Sequence, residues 1–265
     1  MMIKKLFWGK VFGVGALVGV LCIVQLLDAQ DASKIMWRVH HRPKWRDMHA
    51  YMTLEIISPN GNKRIRKMES WSKTDPKTDE TKMLILFLEP ADIKGTKFLL
   101  HEHKNRDDDM WIYIPAIRKA KRIAASGKAG PFMGSDFSNY DIGGGEYEDW
   151  SYELLREENY NGVPCWVIEA TAKNKKVVKK SGYSKMVKWV RKDNYMVVRT
   201  DCYDRSGELF KRILTNKMEK IQGIWFETEM TAVKLENNRK SIMRFGNIWV
   251  NVGLSDRMFS LKALK

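Results

Sequence analysis

From Ala50 onward, apolar and polar residues alternate in short runs broken by turn residues, the signature of antiparallel strands with one covered face. The pattern predicts strands over 48–57 and 63–72 on either side of Ser58-Pro59-Asn60-Gly61-Asn62, where Asn-Gly supplies the positive φ of a hairpin turn. Residues 83–88 are apolar on both faces, as in a central strand covered twice. Strands over 97–103 and 110–114 flank the polar turn Asn105-Arg106-Asp107-Asp108-Asp109. Runs at 165–172, 183–191, 196–203, 207–218, 224–234 and 240–250, joined by short turns, read as a meander. A sheet of about ten strands does not stay flat with two open edges; it curls, closes or is plugged. The expected class is therefore mainly β (α+β).

Helical signal is sparse. Residues 31–40 predict an amphipathic helix, capped by Asp31 or Ser33, with Ile35, Met36 and Val39 on one face. Residues 143–157 start glycine-rich and then allow a second helix with Trp150, Leu154 and Leu155 as its apolar face. No repeat or low-complexity linker interrupts the pattern, so 30–265 is expected to be one domain.

The N-terminus has a different organisation. Lys4, Lys5 and Lys10 precede an uncharged run over 11–27, after which Asp28-Ala29-Gln30-Asp31 is polar, the layout of a signal peptide over 1–29 cut after Ala29. An uncleaved anchor and a lipid on Cys22 are the alternatives.

The chain carries 47 Lys+Arg against 32 Asp+Glu, a formal charge of +15. Removing 1–29 takes away three lysines and one aspartate and leaves +13, so the basicity belongs to the folded part. The 10 Trp, 10 Phe and 9 Tyr exclude a disordered polycation, which has too little apolar surface to collapse. Export argues against a nucleic-acid partner. Cys165 and Cys202 fall two strands apart in a meander, about 9–10 Å, too far for a disulfide unless the sheet folds back.

No nucleophile elbow, phosphate loop, dinucleotide fingerprint or zinc-protease helix occurs, and no catalytic residue, metal or cofactor is expected. His101-Glu102-His103 places two imidazoles on one side of a strand but has no third ligand nearby, and Asp107-Asp108-Asp109 reads as a solvated turn. Two basic clusters are candidate contacts with anionic headgroups or an acidic protein: Lys175, Lys176, Lys179 and Lys180 in a polar loop, and Arg118, Lys121 and Arg122 after a strand. Each adds about 1 kcal/mol at an anionic membrane surface, and solvated faces that keep the protein soluble are the competing reading.

Three blocks are more specific. Phe87-Leu88-Glu89-Pro90-Ala91-Asp92-Ile93-Lys94-Gly95-Thr96-Lys97-Phe98-Leu99, then Trp111-Ile112-Tyr113-Ile114-Pro115-Ala116 running into Arg118-Lys119-Ala120-Lys121-Arg122-Ile123, then Phe132-Met133-Gly134-Ser135-Asp136-Phe137 up to Asp141, resemble the outer-membrane lipoprotein-sorting-like family of LolA-type proteins. Gly162 to Glu169, Tyr203 to Gly207 and the tail from Leu254 resemble it as well. The resemblance implies a curled antiparallel sheet forming an incomplete β-barrel, lidded or plugged by short helices, around an apolar cavity for acyl chains. It further implies periplasmic traffic of lipoproteins or other lipids without catalysis, transient contact with an anionic membrane surface, and association with an inner-membrane exporter. The competing function is that of an accessory protein docked on such an exporter.

Strand alternation and the motif blocks name the candidate lining of that cavity: Phe98, Trp111, Tyr113, Trp166, Ile168, Trp225, Met243, Phe245 and Trp249. Phe132, Met133 and Phe137 join them from a glycine-broken loop that is either a lid or a plug. A packed core is the alternative role for any of these residues.

Overall fold

A computed structural model describes residues 31–104, 106–124 and 127–264. The expected signal segment lies outside the described residues. Thirteen antiparallel strands make one sheet: β1 (Asp47–Ile57), β2 (Lys63–Thr74), β3 (Thr81–Glu89), β4 (Lys97–His101), β5 (Asp109–Ile114), β6 (Lys119–Ile123), β7 (Trp150–Tyr160), β8 (Val163–Ala172), β9 (Lys185–Arg191), β10 (Val197–Tyr203), β11 (Leu209–Ile221), β12 (Ile224–Lys234) and β13 (Lys240–Val250). The helices are α1 (residues 31–40), α2 (Asn139–Gly143) and α3 (Lys175–Ser181). None of the helices among the described residues is long and apolar enough to cross a membrane.

The sheet is two meanders, β1 to β6 and β7 to β13, joined where the first strand pairs with the last. Leu54 faces Met243 and Met52 faces Phe245 across that join. Strands β6 and β7, consecutive in sequence, are therefore the two outer edges, and the sheet is not closed into a barrel. The segment linking them has to travel from one edge to the other, and it does so across the concave side.

Alternation decides what fills that side. Met52, Leu54 and Ile56 of β1 join Ile85, Phe87, Phe98, Leu100 and Met243 in one buried cluster. Ile168, Ala170, Met186 and Val190 of β8 and β9 join Ala32, Ile35 and Met36 of α1 in a second. Helix α1 thus lies in the curl on the face read from its sequence, with Val39 packed against the same cluster. The opposite face is apolar in two places. Leu84, Leu99, Trp71, Trp111 and Tyr113 lie beneath Phe259 and Leu264 of the C-terminal 3-10 turns. Cys165, Val167, Val187, Trp189 and Val198 form the other convex cluster.

Three expectations are corrected. Residues 150–160 are edge strand β7, because Trp150 and Tyr152 alternate inward with Ser151 and Glu153 outward. The lysine loop contains helix α3, whose Asn174 side chain accepts from the Val177 N–H and whose end is released by Gly182 at φ 84°. The acidic turn is not simply solvated: Asp108 is buried on Lys128, and Asp109 holds Arg106 and Arg122. The cysteines are free and buried, Cys165 in a convex cluster and Cys202 in a concave one.

Candidate functional site

The segment between β6 and β7 is a plug pinned by buried polar contacts. Phe132 packs edge-on to Phe98 at 5.4 Å, and Phe137 is buried in the same cluster. Ser241 of β13 donates to Asp136 at 2.6 Å, and Lys128 pairs with Asp108. At the end of the plug Ser138 caps α2 in a capping box with Asp141. Asp141 also receives the Tyr183 hydroxyl at 2.7 Å and the Lys211 ammonium at 2.6 Å. The glycine-broken loop is therefore folded inward.

Between this plug, α1 and the strands of the second meander lies a cavity of about 410 Å³, within the range of pockets that hold a small organic ligand. Its apolar part is Val39, Phe137, Trp150, Tyr152, Ala170, Met186, Ile213 and Met230. Its polar part comes from His40, Arg42 and Lys44 at and beyond the end of α1, Glu102 after β4, Glu146 of the plug, and Lys188 and Thr200 on β9 and β10. A second cavity of about 230 Å³ shares Val39, His40, Arg42 and Lys44 and is walled by Trp45, Met48, Trp225 and Phe226. The end of α1 and the chain just after it thus separate two hollows on the concave side.

Burial shapes the charges inside. Desolvation together with the nearby Lys188 ammonium lowers the His40 pKa to about 4, leaving a neutral imidazole near pH 7. Desolvation raises the Glu102 carboxyl to about 7, against the opposing hydrogen bond from the Thr81 N–H at 3.1 Å. It raises Glu146 as well and lowers Lys188.

The residues named from sequence separate into three groups. Phe137 lines the first cavity and Trp225 the second. Phe98, Phe132, Ile168 and Met243 are buried, and Met133, Trp166 and Phe245 are partly buried, in the concave clusters. Trp111, Tyr113 and Trp249 are on the other face, which corrects their assignment to the lining. Alternation along β5 turns Met110 inward, so Trp111 and Tyr113 point out beneath the C-terminal tail. Trp249 stacks on His49 at 4.9 Å and stays 44% exposed.

The basic candidates sit near the ends and edges of the sheet. Arg118, in the left-handed region at φ 48°, and Lys121 are exposed beside or on edge strand β6, and Arg122 is tied to Asp109. On α3, Lys175 and Lys179 are exposed, Lys176 lies 3.8 Å from Asp107, and Lys180 lies 3.4 Å from Asp149. The two histidines of His101-Glu102-His103 have separate partners, His101 donating to the Phe259 carbonyl at 2.6 Å and His103 lying 3.2 Å from Asp109. Among the described residues no group of three or more His, Cys, Asp or Glu is placed to hold a metal.

Sequence reasoning missed Glu102, Lys188 and the polar end of α1. The available signal for Lys188 was its position between Met186 and Val190 on one face of β9, where alternation places a lysine among inward apolar residues.

Comparison with known proteins places this architecture. The crystal structure of a DUF1329 family protein from Desulfovibrio piger is 33% identical and superposes with a TM-score of 0.84, covering 90% of this chain and 99% of that one. The chain belongs to the DUF1329 family. A family model described as uncharacterized protein matches residues 79–265. A domain described as an outer-membrane lipoprotein-sorting protein, from Vibrio parahaemolyticus, is 28% identical with a TM-score of 0.83, covering 89% of this chain and 99% of that one. A LolA superfamily protein from Nitrosomonas europaea, 19% identical with a TM-score of 0.68 over 88% of this chain and 98% of that one, shares the fold. No curated protein matches the chain. This DUF1329 member therefore combines a LolA-like open sheet with an inward-folded plug and a helix seated in the curl.

Proposed function

We propose that this protein is a periplasmic, non-catalytic carrier that binds acyl chains of lipids or lipoproteins on the concave side of its open sheet. The observation that carries the reading is the hollow beneath α1: a folded protein close-packs its concave face unless the space has a use, and here it is walled by Val39, Tyr152, Ala170, Met186 and Met230. Each methylene kept out of water contributes about 0.8 kcal/mol, so such a space offsets the cost that a chain would meet in water on leaving a membrane. The two methionines suit a chain of variable shape, since thioether side chains adapt their packing. The likeness to a lipoprotein-sorting domain supports the same reading. Exposed Lys121, Lys175 and Lys179 strengthen approach to an anionic surface. The test is organic extraction of gently purified protein followed by mass spectrometry of the extract. Stoichiometric acyl lipid is expected; an extract empty of acyl species from protein that also takes up none from vesicles contradicts the function.

A further inference from the structure

The carrier reading leaves one group in the cavity unused. Lys188 points inward from β9 between Met186 and Val190 as a partly buried residue, its side chain opens onto the larger cavity, and its ammonium makes no hydrogen bond or ion pair with any described residue. Burying an ammonium without a partner is strongly unfavourable, so buried lysines are normally matched. The cations around it are matched: Arg42 by Glu227 at 3.4 Å, Lys44 by Asp79 at 3.0 Å, and Lys211 by Asp141 at 2.6 Å.

The acidic groups in reach do not supply the missing partner. Asp141 acts on Lys188 electrostatically, but its carboxylate is already held by Lys211 and the Tyr183 hydroxyl. Cys202 is the other group that acts on it, and burial pushes that thiol up to about 12, so it is neutral near pH 7. Glu102 and Glu146 are held toward their protonated forms by burial, and neither acts on Lys188. His40 beside the ammonium is neutral and Thr200 carries a hydroxyl, so both are able to donate to an oxygen anion.

We propose that Lys188 receives the acidic head of a single-chain amphiphile, a carboxylate or phosphate turned inward while the acyl chain lies against the apolar part of the same cavity. This deepens the carrier reading and rests on it. It also narrows the cargo, because the acyl groups of a lipoprotein are esters and an amide and bring no anion to this position. Lys188 and Thr200 are paired across β9 and β10, and with His40 they border the same cavity as Val39, Met186 and Ala170, so one hollow offers both a polar and an apolar lining for the two ends of such a molecule.

The experiment uses the delipidated protein and a fluorescent acyl probe displaced in turn by palmitate, methyl palmitate, acetate and inorganic phosphate. Palmitate is expected to displace the probe at a concentration about tenfold or more below methyl palmitate, as a charge-assisted contact requires, with acetate and phosphate ineffective. In Lys188→Met the acid and the ester are expected to displace it equally. Equal affinity for acid and ester in the native protein, which needs no variant, overturns the inference and leaves the carrier reading standing. An acid preference that survives in Lys188→Met overturns it too, as does acetate or phosphate matching palmitate. Failure of probe, acid and ester alike to bind removes the carrier reading itself.

Discussion

Lys211 of β11 donates to Asp141 of the plug at 2.6 Å, with the two side chains only 4% and 7% exposed. The pair ties the segment that crosses the concave side to β11, with Asp141 at the border of the larger cavity. Removing one member leaves the other as a buried, unmatched charge. Lys211→Met and Asp141→Asn are each expected to lower unfolding free energy by about 3–5 kcal/mol. The double variant is expected to lose less than the two losses combined, as groups in direct contact do. Urea unfolding of the four proteins measures both effects, and strictly additive losses would show that the pair does not act as a unit.

Glu102 makes stability depend on pH. Burial raises its carboxyl from 4.5 to about 7, so between those values the folded chain keeps a proton that the unfolded chain has released. Its contribution is full below about pH 4.5 and is lost as pH rises through 7, by up to about 3 kcal/mol at 1.36 kcal/mol per unit. His40, lowered from 6.5 to about 4, acts in the opposite sense over its own window, so the comparison has to isolate one group. Glu102→Gln keeps an acceptor for the Thr81 N–H and does not titrate. The stability gap between this variant and the native protein is expected to open from pH 4.5 to pH 8 in the variant's favour; a pH-independent gap refutes the shift.

Gly145 borders the cavity where a Cβ would overlap the Tyr140 hydroxyl and ring. Tyr140 accepts from the Trp150 indole N–H at 3.1 Å and cannot retreat without breaking that bond. Gly145→Ala is expected to cost about 1–3 kcal/mol and to alter the near-UV circular dichroism of these two rings. A variant as stable as the native chain, with an unchanged spectrum, would mean that Tyr140 has room to move.

The strand set and its class were legible because alternation is a local property: β1, β2 and β8 to β13 follow directly from runs of inward apolar residues. The join of β1 to β13 was not, since it pairs residues such as Met52 and Phe245 that no local pattern relates. With that join unseen, β6 and β7 were not recognisable as edges, and the inward route of the plug had no stated cause. Trp111, Tyr113 and Trp249 misled because a large ring carries no mark of which face it takes when both faces of the sheet are partly apolar. Lys188 was overlooked for the complementary reason, a charge being assumed to face water.

Cys165 and Cys202 lie in clusters on opposite faces of the sheet, with β9 between their strands. Mass spectrometry of protein denatured with iodoacetamide and without reductant is expected to show both thiols alkylated. A population two mass units light and unmodified at both positions would require the sheet to fold differently here.

The occupancy of the concave hollow is tested most directly by titrating a fluorescent fatty acid into delipidated native protein and into Ala170→Phe, which places a ring in the larger cavity. The native protein is expected to bind saturably, with the probe displaced by unlabelled chains, while the folded variant binds about tenfold or more weakly, a loss of about 1.4 kcal/mol or more. Equal binding by the two folded proteins would place the acyl chain elsewhere, and no saturable binding by either would contradict the account.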